Sequence, residues 1–318
     1  MDYEKLAGPE TFMSKPTAVV CAYSSVGTAA LEGLLAAGVE VRALYTYAQG
    51  ADEQWFTPPA VVAASHGIPV HHAQVFNDDT VYAAVHSHRP DFLFSFYFRE
   101  MIQARFLEIP RLGAYNLHGS LLPKYRGRAP LNWVLVKGET ETGITLHAMT
   151  PKPDDGLIVA QARLPIAWDE TALSLTDKAT TAGRDLVHGA IPGLVDGSIP
   201  RIDQRTLGPS TYFGGRKPAD SRLDFAMTVQ EAFNQIRAVA DPWPNAYLET
   251  ASGTAKIPWA LPSAEPCPSG RFRVTGEGLL LGFSNGALRI HALKAQDRRL
   301  ERPSDQAEVL RGLGLAEA

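Results

Sequence analysis

The chain is expected to be an α/β protein: a Rossmann-like, mostly parallel sheet followed by a smaller β-rich C-terminal domain. Three observations carry that expectation. Apolar strand-like runs alternate with helical segments as far as residue 195. The composition then shifts to Gly, Pro, Ser and Arg over residues 197–218. Beyond a single amphipathic helix, short apolar runs punctuated by Gly and Pro follow. Four segments result: an extension at 1–15, a main α/β domain at 16–200, a linker at 201–218 and a β-rich domain at 219–318.

The apolar run 18–23 suits a buried first strand, because a strand covered on both faces needs no polar alternation. Ser24-Ser25-Val26-Gly27 then opens a helix through Ala37, with Ser as its cap and Gly38 as its stop. No Gly-x-Gly-x-x-Gly follows the strand, so an NAD cofactor is not expected. Residues 39–45 read as the second strand, 56–66 as a helix ending at Gly67, and 68–70 as a short strand. A helix over 78–88 stops before Pro90, since the residue ahead of a proline is held out of the helical region. Residues 91–98 form the most strand-like run of the chain, rich in aromatic residues and bounded by Pro90 and Arg99. Pro130 sits where a helix over 130–136 would start. Residues 142–149 alternate polar and apolar, and 157–164 return as another strand after the turn Thr150-Pro151-Lys152-Pro153-Asp154-Asp155-Gly156. A long helix over 171–195 carries an apolar stripe at Leu173, Leu175, Ala179, Ala182, Leu186 and Ala190. Residues 229–239 form the amphipathic helix of the C-terminal part, broken by Asp241-Pro242-Trp243-Pro244. Strands run on to Ile290, and the charged tail 292–318 is expected to be part helix and part fray.

Composition narrows the function. The 318 residues are 45% hydrophobic and 20% charged, with a net charge of −4. That charge gives no electrostatic footprint for nucleic acid or an anionic membrane. No apolar run approaches the length that spans a bilayer, and the first fourteen residues lack the apolar core of a signal peptide. These residues are expected to be a frayed extension, with Met13 a candidate alternative start. Cys21 and Cys267 form neither a disulfide framework nor a metal set, and a reducing, cytoplasmic home is expected. His71-His72 and His86-x-His88 have no acidic or Cys companions. They read as surface histidines, and no metal is expected.

The stretch Asn116-Leu117-His118-Gly119-Ser120-Leu121-Leu122-Pro123-Lys124-Tyr125-Arg126-Gly127-Arg128-Ala129-Pro130 carries the chemistry. In an extended backbone Asn116 and His118 share a face while Leu117 packs behind them. An amide and an imidazole then stand together where a strand meets a loop, and open α/β sheets bind ligands at the carboxyl ends of their strands. Ser120 has no paired base and reads as a loop hydrogen-bonder.

Asn-x-His-x-Ser-Leu-Leu-Pro-x-Tyr-Arg-Gly, followed by Asp154-Asp155-Gly156, resembles the folate-dependent formyltransferases. Within that family the run 116–161 is most similar to the UDP-4-amino-4-deoxy-L-arabinose formyltransferase domain of ArnA. The resemblance extends from about residue 16 onward. It implies 10-formyltetrahydrofolate as co-substrate and Asn116, His118 and Asp154 as catalytic residues. Asp154 is chosen over Asp155 because the motif is Asp-x-Gly and Gly156 sets its register; Asp155 reads as a solvated turn residue. The resemblance also assigns Glu100, Met101, Ile102, Arg128 and the turn Thr150, Pro151, Lys152, Pro153 and Asp154 to folate binding. Glu100 is a departure, because the ArnA domain has His there. Without ever ionising, Asn116 offers N–H donors to an oxyanion. His118 can move a proton near neutral pH, and Asp154 would favour its protonated form.

The resemblance fixes the formyl donor better than the acceptor. Residues 205–318 hold about as many acids as bases, which disfavours a tRNA partner. A nucleotide-linked amino sugar is the expected acceptor, UDP-4-amino-4-deoxy-L-arabinose first. The alternatives are a methionyl-tRNA formyltransferase, a formyltetrahydrofolate hydrolase and a non-catalytic folate-binding regulator. No membrane partner is expected, and the oligomeric state is left open.

Overall fold

The computed structural model describes residues 15–72, 75–296 and 298–318. The expected extension therefore lies, apart from Lys15, outside the described residues. The chain begins as β1 (Thr17–Ala22), α1 (Ser24–Ala36), β2 (Glu40–Thr46), α2 (Pro59–Ser65), β3 (Val70–His72) and α3 (Asp79–Ser87). It returns through β4 (Phe92–Phe96), the short α4 (Ala104–Leu107), β5 (Gly113–His118), β6 (Arg126–Gly127) and α5 (Pro130–Val136). The hairpin β7 (Glu141–Ala148) and β8 (Ile158–Pro165) and the long α6 (Ala172–Asp196) complete this part.

All of these strands except β6 form one sheet in the order β3-β2-β1-β4-β5-β7-β8. The pairings β1 with β2 and β4, β2 with β3, and β4 with β5 are parallel. The hairpin adds an antiparallel edge. Because the chain runs outward from β1 to β3 and then returns to β4, the order reverses between β1 and β4, where a doubly wound sheet opens a crevice. Period-two alternation explains the two apolar faces. Val20, Ala22, Phe92, Phe94, Phe96, Tyr115, Leu117, Ile144 and Leu146 face one core with α1 and α6. Val19, Cys21, Leu93 and Ala114 face the other, with Val85, Ile102 and Phe106.

After β9 (Tyr212–Phe213) comes α7 (Val229–Ala238), and then β10 (Ala246–Thr250), β11 (Gly253–Ser263), β12 (Arg271–Thr275), β13 (Gly278–Phe283) and β14 (Gly286–Ala295). The chain closes with β15 (Arg298–Leu300), α8 (Pro303–Gly312) and β16 (Ala316–Glu317). The second sheet runs β10-β11-β14-β13-β12-β16 and has a separate core built on Phe233, Ile236, Phe272, Leu281 and Leu310. The segment expected to link the two parts also contributes to the first. Its β9 pairs with β6, and Ile202 bridges Ile158.

Several sequence expectations are corrected. Ser24 does not cap α1: the cap is Tyr23, without a side-chain bond, and Ser24 has φ +65°. Tyr23 N still donates to Phe96 O at 3.0 Å, so the chain must turn sharply one residue later. Helix α2 starts at Pro59, not Phe56, because Pro58 precedes a proline and stays extended. β3 is displaced to Val70–His72, leaving Ile68 to pack in the core. The buried stripe of α6 runs through Leu175, Ala179, Gly183, Val187, Ala190, Ile191 and Leu194. It turns toward Gly183, where the helix approaches Leu117 and Ile144 closely, and leaves Leu173 half-exposed. The tail contains the expected helix, α8, but its remainder is packed rather than frayed. Leu310, Leu313 and Leu315 are buried, and β16 pairs with β12.

Candidate active site

Leu117 faces the core, so Asn116 and His118 project from the opposite face of β5, at its carboxyl end. The β5–β7 register sets His147 directly across from Asn116, and Thr145 across from His118. Asn116 Nδ2 lies 3.0 Å from His147 Nε2. The turn after β7 brings Asp154 over the pair. Its Oδ1 lies 3.5 Å from His118 Nδ1 and 3.5 Å from His147 Nε2. Its Oδ2 accepts the Gly127 N–H at 2.8 Å. The three residues singled out in the sequence thus meet in one cluster with a fourth, His147.

Local backbone makes this possible. Asp154 has φ +51°, a region in which Asp and Asn are over-represented. Gly156 passes so close to β7 that a Cβ there would overlap Ala148 O. Gly127, at φ +98°, leaves no room for a Cβ against Phe213 O, which is how β6 and β9 come together. The loop is pinned from below as well. Ser120 donates to Lys124 O at 2.7 Å, matching the role expected of it, and Thr145 donates to Ser120 O at 2.6 Å.

The tautomer of His118 follows from its partners. Nε2 lies 2.8 Å from Tyr125 O, a carbonyl that only accepts, so Nε2 carries the hydrogen. In the neutral ring Nδ1 therefore holds the lone pair, facing Asp154. Burial lowers the His118 pKa from its ordinary value, against the opposing pull of Asp154 and Tyr125 O. For Asp154, burial works against the charge. The charge of His118, the contacts with His147 and the Gly127 N–H outweigh it and hold the carboxyl at about 2. His118 is 6% and His147 2% exposed, while Asn116 and Asp154 are partly exposed and open the cluster toward a ligand.

The remaining assigned residues are spread around this centre. Glu100 Oε2 accepts the Phe76 N–H at 3.1 Å, so this carboxylate is occupied in holding a neighbouring loop. Met101 is 53% exposed, and its carbonyl accepts from Asn77 Nδ2 at 2.9 Å. Ile102 is buried in the core beside Phe106, so its side chain does not line an open surface. Arg128 is exposed and donates to Arg99 O at 2.6 Å, tying β6 to the loop after β4. Thr150 donates to Lys152 O at 3.0 Å, and Pro151, Lys152 and Pro153 are exposed at the turn. Asp155 is the exposed turn residue expected of it, and it also accepts from Arg126 Nη1 at 2.6 Å. Two surface cavities, of about 590 and 230 Å³, lie along α1, and none of the cluster residues lines either.

His147 was missed in the sequence, where it reads only as one position of an alternating strand. Its signal was parity: it lies on the polar face of a strand that ends at the Asp-x-Gly turn. The contribution of Thr211 and Phe213 was missed too. Thr211 Oγ1 accepts the Tyr125 N–H at 2.8 Å, and Phe213 O the Arg128 N–H at 2.9 Å. Among the described residues no group of His, Cys, Asp and Glu is arranged to hold a metal. No described helix is long and apolar enough to cross a membrane.

Comparison with known proteins adds family and fold. The family model described as "Formyl transferase" matches residues 27–191, and "Formyl transferase, C-terminal domain" matches residues 216–311. Among solved structures the chain is similar to the N-formyltransferase from Helicobacter canadensis in complex with folinic acid and dTDP-3-aminofucose. That pair shares 20% identity and a TM-score of 0.65, covering 87% of this chain and 98% of the other. WlaRD, a sugar 3N-formyl transferase crystallised with dTDP and 5-N-formyl-THF, matches at 20% identity and TM-score 0.65, covering 87% and 97%. HypX from Aquifex aeolicus in complex with tetrahydrofolic acid matches at 16% identity and TM-score 0.65 over 96% of this chain. The chain spans about half of HypX, 49%. At these identities the likeness is one of fold.

Proposed function

The chain belongs to the formyl transferase family, and we propose that it moves the formyl group of 10-formyltetrahydrofolate to the amine of a nucleotide-linked amino sugar. UDP-4-amino-4-deoxy-L-arabinose is the first acceptor to test. The observation that carries this reading is the meeting of Asn116, His118 and Asp154 at the carboxyl end of β5.

The reaction is acyl transfer. The acceptor nitrogen attacks the formyl carbon, the carbonyl oxygen gains charge, and the N10–carbon bond breaks as N10 takes a proton. Asn116 Nδ2–H donates to the developing oxyanion, a contribution of about 2.7–4 kcal/mol when one such donor is removed from comparable sites. His118 takes the proton of the attacking amine on Nδ1, the nitrogen left bare by the bond to Tyr125 O. Asp154 then pairs with the imidazolium, and the same proton can be returned to N10. For the co-substrate, the exposed Arg128 guanidinium has N–H groups without partners among the described residues, suited to a carboxylate. Glu100 follows Arg99, whose carbonyl Arg128 holds, and is tied to the neighbouring loop through the Phe76 N–H.

An amino-sugar acceptor is supported by the net charge of −4, which gives tRNA no basic field, and by the motif run 116–161. The structural relatives named for amino sugars lend it fold-level analogy only. The test is release of tetrahydrofolate from 10-formyltetrahydrofolate with UDP-4-amino-4-deoxy-L-arabinose, a dTDP-linked amino sugar, methionyl-tRNA, or no acceptor. Turnover that requires a nucleotide amino sugar is the expected result. Equal turnover without any amine would make the protein a hydrolase, and turnover only with methionyl-tRNA would overturn the acceptor class.

A further inference from the structure

We infer that His147 is a positioning residue that turns the N–H side of the Asn116 amide toward the reacting carbonyl, and that the other tautomer of His147 would turn the amide over. This rests on the catalytic roles proposed for Asn116 and His118. His147 Nδ1 lies 2.9 Å from Ala148 O. That oxygen can only accept, so Nδ1 carries the ring hydrogen and Nε2 has a lone pair. The group 3.0 Å from Nε2 is the Asn116 Nδ2 amide nitrogen, which can only donate. One of its two hydrogens is therefore held by His147, and the second remains on the same nitrogen for the formyl oxygen.

The competing arrangement is also visible. Asp154 Oδ1 lies 3.5 Å from His147 Nε2 and equally far from His118 Nδ1. One carboxylate oxygen thus faces both imidazoles. With the ring hydrogen on His147 Nε2 instead, two N–H groups would face each other across 3.0 Å, and the Asn116 amide would rotate to present its oxygen. The donor aimed at the formyl oxygen would become an acceptor. While Asn116 donates to Nε2, the His147 lone pair is occupied, and the bare Nδ1 of His118 is left to take the amine proton. Asp154 from the turn lies 3.5 Å from His147 Nε2, and His118 of β5 is close enough for the two rings to interact; Arg126 of β6, near His118, is itself paired with Asp155. Its partner on β8 is the uncharged Ile158.

Three measurements decide the matter. In His147→Phe, kcat should fall about 10²-fold, the loss typical of one oxyanion donor, with KM for 10-formyltetrahydrofolate unchanged. His147→Gln, whose Oε1 can accept from Asn116, should recover at least about ten-fold of that loss. In an Asn116→Ala background, His147→Phe should cost nothing more, because the two act as a unit. Nitrogen-15 NMR of labelled histidine, recorded without substrate, should show His147 with its hydrogen on Nδ1. Losses that simply add, no advantage of Gln over Phe, or a hydrogen on Nε2 would each overturn the inference. An Asn116→Ala variant with full activity would instead refute the catalytic reading beneath it. Should the Phe variant not fold, the Gln variant and the NMR measurement still decide.

Discussion

One carboxylate oxygen between two imidazoles governs how the cluster responds to pH. His118 is lowered from its ordinary value by burial, and transfer needs it unprotonated. The acidic limb of kcat/KM should therefore have its midpoint below about 6.5, read from rates between about pH 5 and 8. Asp154→Asn removes the charge that favours the imidazolium, so the midpoint should move further down while kcat falls about 10²-fold or more. Asn is the suitable replacement because it tolerates the φ of +51° at this position. An upward shift would contradict the assigned pairing. Asn116→Ala should lose about 10²–10³ in kcat with an unchanged thermal melt. The stability signs agree with each other. The Asp154 carboxyl, held at about 2, stabilises the fold above about pH 4 and loses that effect as pH falls through its folded pKa. Neutral His118 contributes fully above about pH 6.5 and loses its contribution as pH falls below that.

At the scale of elements, the site depends on how closely the β7–β8 hairpin closes. Gly156 allows the turn to pass against Ala148 O, and this brings Asp154 within reach of both imidazoles. Gly156→Ala should push the turn outward, costing about 1–3 kcal/mol of stability by overpacking, seen in urea unfolding. It should lower kcat more than ten-fold if Asp154 acts from this position. Parity along β5 and the Asp-x-Gly spacing were legible in the sequence, since each depends only on neighbours along the chain. The cap of α1 and the start of α2 were not. The first is set by Tyr23 continuing to pair with β4, and the second by consecutive prolines that hold Pro58 extended.

At the scale of the whole molecule, the C-terminal part braces the catalytic one. Arg237 of α7 is 3% exposed and reaches Glu170 O at 3.3 Å and Leu135 O at 3.5 Å. Asn132 of α5, the helix that follows the catalytic loop, donates to Ala238 O at 2.6 Å. Trp55 and Trp243 meet across the two parts with ring centroids 5.1 Å apart. Arg237→Met should leave buried carbonyls without donors and cost about 1–3 kcal/mol, measured by urea unfolding. A midpoint unchanged from wild type would mean that the two parts are not coupled through this arginine.

The sequence by itself determined the two-part architecture, because strand and helix periodicities are local and each part carries its own apolar pattern. It also determined the identity of the motif residues Asn116, His118 and Asp154. Only the tertiary structure decided that β7 lies antiparallel beside β5, that His147 faces Asn116, and that β9 returns to hold the loop at Gly127. Strand register and loop closure are chosen by contacts between residues far apart in the chain, and no local pattern contains that choice.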